Sequence, residues 1–340
     1  MEVSIICPMY SEADGIAGAV AGLKEVLDAL PQRAEVILVN DGSEDDTVSV
    51  AIGAIGDDPR FRVLSHRVNF GRGRALRTGM REARGTLLVT TEGDLSWGAD
   101  VIGRMVDALN ADPRLDAVFA SPHLPGGGYR NVPRHRVWLS HIGNRVLRLL
   151  YSGNLTMTTG MTRAYRASVI KPHLLTRDGK EVHLEISHRL LTLGYHVGEV
   201  PAVLSWPAGV RGRSTRAKRT NWGRILTLVG SHLAFGLLRG VNHIIIPALA
   251  LLSIGVLVLG GWSIYRLAIG EVSIFLAALT ATLVVLWVNV VVGFFMLHHI
   301  LAVQKEVWRA QSHALMAHLP EEPPRYYYDE LRVPGNQSAR

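Results

Sequence analysis

The chain has 340 residues, a formal charge of +7 and 48% apolar residues, enough for one large domain with an appendage. Basic charge alone suits nucleic acid, anionic lipid or phosphorylated substrates, but paired with this apolar content it disfavours a purely soluble enzyme. The only cysteine, Cys7, excludes an intramolecular disulfide and fits a reducing compartment.

In chain order, the first apolar run, Val3 to Cys7, is short and leads into Pro8, so it reads as a strand rather than a signal peptide. The N-terminal part is therefore expected to begin folding in the cytoplasm. Further strands are expected at Glu35–Val39, Arg62–Ser65, Thr86–Thr91 and Asp116–Ala120, with helices between them at stretches such as Ala13–Leu30 and Ala99–Asn110. This alternation predicts an α/β fold with a largely parallel sheet. In such sheets ligands bind beyond the carboxyl ends of the strands. Here those ends carry Pro8-Met9-Tyr10-Ser11-Glu12, Asn40-Asp41-Gly42-Ser43 and Glu92-Gly93-Asp94. Ordinary turn chemistry explains any one of these polar clusters; three together point to a site.

Arg136–Tyr151 is amphipathic, and so is Asn221–Leu238 with Trp222 as an anchor; either suits packing on the sheet or the plane of a membrane interface. Ile244–Tyr265 and Val272–Leu297 lack Asp, Glu, Lys and Arg, and each exceeds the roughly 20 residues that span a ~30 Å hydrocarbon core. Seven basic residues and no acidic ones lie between Pro201 and Gly240, Lys305 and Arg309 follow the second span, and the connecting loop holds only Arg266 and Glu271. The positive-inside rule then puts both flanks in the cytoplasm. Charge placed beside a membrane argues for lipid headgroups and against nucleic acid. The tail after His318 has no periodicity and is expected to be irregular.

Glu92 and Asp94, at i and i+2 on leaving a strand, are the candidate metal ligands, because Mg2+ and Mn2+ take oxygen ligands and keep places open for phosphate oxygens. Asp41 can accept hydrogen bonds from a base or ribose. The segment Asn69-Phe70-Gly71-Arg72-Gly73-Arg74-Ala75 opens a helix, where backbone N–H groups and arginines can meet phosphates. Its Gly-x-Gly lacks the third glycine of a dinucleotide fingerprint and does not follow the first strand, which disfavours a dehydrogenase.

These segments, taken in order, resemble the serial motifs of family 2 glycosyltransferases of the GT-A fold, and most closely the polyprenyl- and dolichyl-phosphate mannosyl- or glucosyltransferases. The likeness continues through Pro125-Gly126-Gly127, Arg136 with Ser140 and Asn144, Arg163-Ala164-Tyr165-Arg166, Glu185 and Glu199-Val200-Pro201, over roughly residues 1–215. It implies a GT-A domain at 1–215, a juxtamembrane amphipathic helix at 216–240, a transmembrane hairpin at 241–301 and a cytoplasmic tail at 302–340. The implied activity is inverting transfer of a sugar from a nucleotide-sugar donor to polyprenyl phosphate, with a divalent cation. Donor contacts are implied at Pro8, Tyr10, Glu12, Asp41, Arg72 and Gly93 and, in a closing loop, at Arg211 or Arg213. Metal is implied at Asp94 with Glu92, and catalytic or acceptor contacts at Asp94, Arg136, Ser140 and Glu185. The implied setting is the inner or plasma membrane, crossed more than once, and a homo-oligomer is compatible with it. Four positions depart from the family's pattern: Asn40 and Glu92 stand for aspartates, Pro122 for an arginine and His183 for a glutamine. A different glycolipid or glycan acceptor, or a catalytically weak membrane scaffold, are the alternatives. A processive synthase is disfavoured because there is no Gln-x-x-Arg-Trp and one hairpin only.

Overall fold

The structure is a computed structural model that describes residues 1–151, 155–206, 242–271, 273–317, 328–331 and 333–334. The expected strands form, with small shifts of boundary: β1 (Val3–Met9), β2 (Ala34–Asn40), β3 (Phe61–His66), β4 (Leu87–Thr90) and β5 (Ala117–Ser121). Around them run α1 (Ala13–Ala29), α2 (Thr47–Ile55), α3 (Arg72–Glu82) and α4 (Asp100–Ala111). Next come β6 (Gly128–Arg130), α5 (Arg134–Tyr151), β7 (Arg163–Arg166), α6 (Ala167–Ile170), α7 (Val182–Leu193), β8 (Val197–Pro201) and β9 (Val203–Ser205). The C-terminal part adds α8 (Asn242–Ala268), α9 (Ile274–Ala317) and β10 (Tyr328–Leu331).

Eight strands make one sheet in the order β10-β3-β2-β1-β4-β7-β5-β8. β3, β2, β1 and β4 are mutually parallel, and β5 is parallel to β8. β7 runs antiparallel to both of its neighbours, and β10 runs antiparallel to β3. Both faces of the sheet are covered, which is why its strands read as continuous apolar runs. Val3, Ile5, Cys7 and Met9 join Ile16, Leu23 and Met105 of α1 and α4 on one face, while Ile6, Ile37 and Val39 join Leu76 of α3 and Ile186 of α7 on the other. β6 and β9 form a small separate ribbon beside the strand exits.

The tail corrects the sequence reading. Residues 328–331 are not irregular; they close the sheet at β3, with Tyr328 opposite His66 and Leu331 opposite Val63. Side chains fix the pairing. Arg62, 4% exposed, donates from Nε to Glu330 Oε1 at 2.8 Å and from Nη1 to the Glu82 carbonyl at 2.9 Å, and lies 3.6 Å from buried Glu35. A buried arginine needs such partners, and one of the three carboxylates around it belongs to the last strand.

α8 and α9 are long and apolar enough to cross a membrane, and no residue of their most apolar windows is fully buried inside the protein. α9 also runs past the predicted end of the hairpin at 301, reaching Ala317 without a break. The amphipathic segment expected at 216–240 lies outside the described residues.

Candidate active site

The exit of β1 is held by the loop that follows β2. The Ser11, Glu12 and Ala13 N–H groups, which open α1, donate to Ser43 Oγ (3.0 Å), Thr47 Oγ1 (2.8 Å) and Asp45 Oδ2 (3.4 Å). They are amides at a helix start that would otherwise lack partners. Asn40 donates from Nδ2 to Ser65 Oγ (2.8 Å) and accepts the Ser43 N–H (3.1 Å). A neutral amide there avoids a second buried carboxylate beside Asp41.

Asp41 is 2% exposed and both its oxygens are committed. Oδ1 lies 2.8 Å from His66 Nδ1 and accepts the Phe70 N–H, while Oδ2 accepts the Gly71 N–H at 2.8 Å. In this structure Asp41 therefore holds the turn before α3 rather than lining the cleft. Gly42, at φ +70°, allows the close approach, since a Cβ there would lie 2.3 Å from the Val68 carbonyl carbon. The Gly-x-Gly likewise serves packing. The Gly73 N–H donates to the Asp178 carbonyl at 2.6 Å, and a Cβ on Gly73 would lie 2.2 Å from the Arg177 carbonyl oxygen. The Phe70, Gly71 and Gly73 amides are thus occupied, and Arg72 lines the cleft.

The cleft has a volume of about 390 Å³ and is lined by Pro8, Glu12, Arg72, Glu92, Gly93 and Asp94 on the strand-exit side. Glu92 Oε2 accepts from Ser96 Oγ (2.9 Å) and Trp97 Nε1 (3.2 Å), leaving Oε1 3.7 Å from Arg72 Nη1. Exposed Asp94 accepts the Ser96 N–H at 3.0 Å through Oδ1. Burial and the neighbouring Asp94, then Glu92, push the Glu12 carboxyl up to about 7, against the pull of Arg72. Burial, helped by the same carboxylates, raises the Cys7 thiol well above its usual range. Three carboxyl groups, Glu12, Glu92 and Asp94, thus meet at the strand exits beside Arg72. Among the described residues no three His, Cys, Asp or Glu side chains group as a metal site.

The opposite wall is Met157, Thr159, Gly160 and Met161 with Leu204 and Trp206. It is anchored from behind. Glu199 accepts the Thr156 and Met157 N–H groups at 2.8 Å each, and Asn144 Oδ1 accepts the Thr158 N–H at 3.1 Å. Ser140 Oγ lies 3.0 Å from the Tyr129 hydroxyl, and its carbonyl accepts Asn144 Nδ2. Arg136 is exposed, with its guanidinium 5.0 Å from the Trp206 ring centroid. Arg136 therefore stands at the rim, one aromatic ring from the cleft, while Ser140 and Asn144 brace the wall. Tyr10 is exposed at the exit of β1.

Glu185 is elsewhere. It is 3% exposed and accepts the Thr176 and Arg177 N–H groups, Thr176 Oγ1 and Arg189 Nη2, each at 3.0 Å. With its oxygens so occupied, it holds the turn that starts the 177–180 loop and is not placed to touch a substrate. Arg211 and Arg213 lie outside the described residues.

Lys180 is a residue sequence reasoning missed. Its ammonium is held below its ordinary value by desolvation and by Arg72, against the pull of Glu92 and Glu181, with Arg136 adding to the repulsion. Lys180 thus adds an exposed positive charge that Arg72 and Glu92 feel. No local pattern marks a lone lysine in a loop, and no motif marked Trp206.

The sequence profile described as glycosyl transferase family 2 matches residues 4–174. The chain belongs to that family. Among relatives, this glycosyltransferase is 30% identical to the undecaprenyl-phosphate mannosyltransferase of Micrococcus luteus over 207 residues, covering 59% of this chain and 82% of that protein. It is 30% identical to the polyprenol monophosphomannose synthase of Mycolicibacterium smegmatis over 233 residues, 64% of this chain and 86% of that one. In fold it resembles glucosyl-3-phosphoglycerate synthase from Mycobacterium tuberculosis, solved with Mn2+, uridine diphosphate and phosphoglyceric acid, at a TM-score of 0.52 and 18% identity over 70% of this chain and 78% of that one. The GT-A architecture expected from the sequence is the one this glycosyltransferase has.

The raised Glu12 carboxyl has a measurable sign. Its folded value of about 7 exceeds the ordinary 4.5, so the folded glycosyltransferase keeps a proton there that the unfolded chain releases. The stability tied to this proton is fully present below pH 4.5 and is lost as pH rises through 7. Glu12→Gln stays neutral throughout. Its melting temperature should therefore gain on wild type by more at pH 8 than at pH 5. Equal differences at the two pH values would mean that Glu12 keeps an ordinary titration.

Proposed function

We propose that the protein transfers a sugar, with inversion, from a nucleotide-sugar donor to polyprenyl phosphate at the cytoplasmic face of the membrane. One observation carries the reading: a cleft pairing the Glu92–Asp94 carboxylates with Arg72 and the rim residue Arg136, on a chain with two bilayer-length helices. The names of the relatives support the same acceptor class. α5 adds exposed Trp138 and Ile142 beside Arg136, a surface suited to a lipid interface.

In this reading the donor diphosphate lies between Asp94 and the cations Arg72 and Lys180, with Pro8, Tyr10 and Gly93 on the nucleotide side. A divalent cation, Mg2+ or Mn2+, held by Asp94 and Glu92 would neutralise the departing diphosphate. Arg136 holds the acceptor phosphate. An acceptor oxygen attacks the anomeric carbon from the face opposite the diphosphate, and the bond to the diphosphate breaks with its electron pair leaving on oxygen. The acceptor is already an anion, so no general base is needed, consistent with Glu185 serving a turn.

The test offers membranes containing the protein a panel of labelled nucleotide sugars with polyprenyl phosphate. Label should enter an acid-labile, organic-soluble product with the anomeric configuration inverted. Label appearing only in another glycan would move the reading to a different acceptor.

Topology gives a separate prediction. Basic residues flank both outer ends of the apolar pair, and β10 rejoins the catalytic sheet beyond α9, so residues 1 and 340 should lie on the same, cytoplasmic side. Reporter fusions at the two ends should agree. A C-terminus outside would overturn both the hairpin and the tail pairing.

A further inference from the structure

α9 is 44 residues long. At ~1.5 Å per residue it reaches about 66 Å, more than twice a ~30 Å hydrocarbon core. Its last turns, with Lys305, Glu306 and Arg309, are polar and follow the apolar stretch. Within them Trp308 is only 9% exposed, whereas Val307 beside it is 47% exposed. Trp308 meets α7: its ring lies edge-on to His188 at 5.5 Å, and the Arg189 guanidinium sits 4.8 Å from its centroid.

What Arg189 does next matters. Its Nη2 donates to Glu185, and Glu185 takes the Thr176 and Arg177 N–H groups. The loop begun by that turn is bound to the start of α3. The Arg177 carbonyl accepts Arg77 Nη1 at 2.7 Å, the Asp178 carbonyl accepts the Gly73 N–H, and the Asp178 carboxylate accepts Arg74 Nε at 3.2 Å and Arg77. Arg72, at the start of α3, lines the cleft, and Lys180 ends the loop bound to it. An unbroken run of contacts thus joins the end of the second apolar helix to the cationic side of the cleft.

We propose that Trp308 is a positioning residue: the cytoplasmic end of α9 seats Arg189 on Glu185 and so fixes the 176–180 loop and, through it, the cations that receive the donor diphosphate. The physical basis is desolvation. Arg189 and Glu185 side chains are 6% and 4% exposed, and an ion pair kept from water is stiffer and stronger than one open to it. The indole lies against the guanidinium, 4.8 Å from it, and adds a cation–π attraction. Without it water reaches the pair, and the two amides on Glu185 are the first to loosen. The donor half of this inference rests on the function proposed above; the coupling itself does not.

The experiment uses the full chain in detergent micelles or nanodiscs, with Trp308→Ala, Trp308→Phe and Val307→Ala. Amide exchange is read without substrate. Protection at Thr176 and Arg177 should fall by ~3- to 30-fold in Trp308→Ala, the span of a desolvated cation–π contact, and be largely kept in Trp308→Phe and Val307→Ala. In transfer assays the KM for the nucleotide sugar should rise in Trp308→Ala while the KM for polyprenyl phosphate stays put. Combined with Glu185→Gln, the effects should be less than additive, as for residues on one network. If Trp308→Ala does not fold, Trp308→Leu fills the seat without a π-face and is read the same way. Unchanged protection at Thr176 and Arg177, or additive effects, overturns the proposal. Lost protection in a protein whose wild type transfers no sugar would leave the coupling standing and remove the function instead.

Discussion

Asp94→Asn leaves a folded protein whose sugar transfer falls ~10²–10³-fold. Folding should survive because Asp94 is exposed at a strand exit, where it accepts the Ser96 N–H through Oδ1. An asparagine carbonyl accepts that bond equally well. What disappears is the charge. An oriented electrostatic contact to a leaving group is worth roughly 2.7–4 kcal/mol by analogy with oxyanion donors. Glu92→Asp should cost less, since it keeps a carboxylate while drawing it back from Ser96 and Trp97. The measurement is the transfer rate at saturating donor, set beside the melting temperature of the same preparation. A folded Asp94→Asn protein with near-normal turnover would remove Asp94 from the site.

The second large effect is expected at the rim. Arg136→Ala should raise the KM for polyprenyl phosphate by about 10- to 10²-fold, the range of a hydrogen bond to a charged group at ~1.5–3 kcal/mol. Donor affinity, read by calorimetry, should change little, because Arg136 reaches the cleft only across the Trp206 ring. Arg136→Lys should rescue in part: an ammonium keeps the charge but neither stacks as well nor offers a planar fork. Equal loss of donor affinity would move Arg136 into the diphosphate site. No effect on either substrate would leave the acceptor phosphate without this anchor and favour another acceptor.

The sheet was legible because helices on both of its faces force strands to be apolar throughout, and such runs stand out between polar turns. The carboxylate pair was legible for the opposite reason: Glu92 and Asp94 are polar where a strand has just ended. Asp41 was read from its strand exit and Glu185 from the family resemblance, neither of which reports what a side chain bonds. Asp41 and Glu185 looked like ligand groups, yet both are buried and spend their oxygens on backbone amides of loops that follow or precede them. The glycines at 71 and 73 looked like a phosphate cradle, but they are small because the 177–179 backbone lies against them, a contact between segments a hundred residues apart. Lys180 and Trp206 arrive from equally remote segments and leave no local trace. β10 was missed because a four-residue strand after a polar tail has no periodicity of its own; only the waiting edge of β3 and the charge of Arg62 make it a strand.

That late strand sets a timetable for biosynthesis. β3 is synthesised by His66, but its partner Tyr328–Leu331 follows about 260 residues later, beyond both apolar helices. At ~5–20 residues per second a ribosome needs roughly 13–50 s to cover that distance. Throughout that interval the catalytic sheet has an open edge, the kind of surface that recruits strands from other chains, and Arg62 lacks one of its carboxylates. The final fold is sealed only after the hairpin has emerged. A chain stalled before that point would present a nearly finished glycosyltransferase sheet with an adhesive side to its siblings.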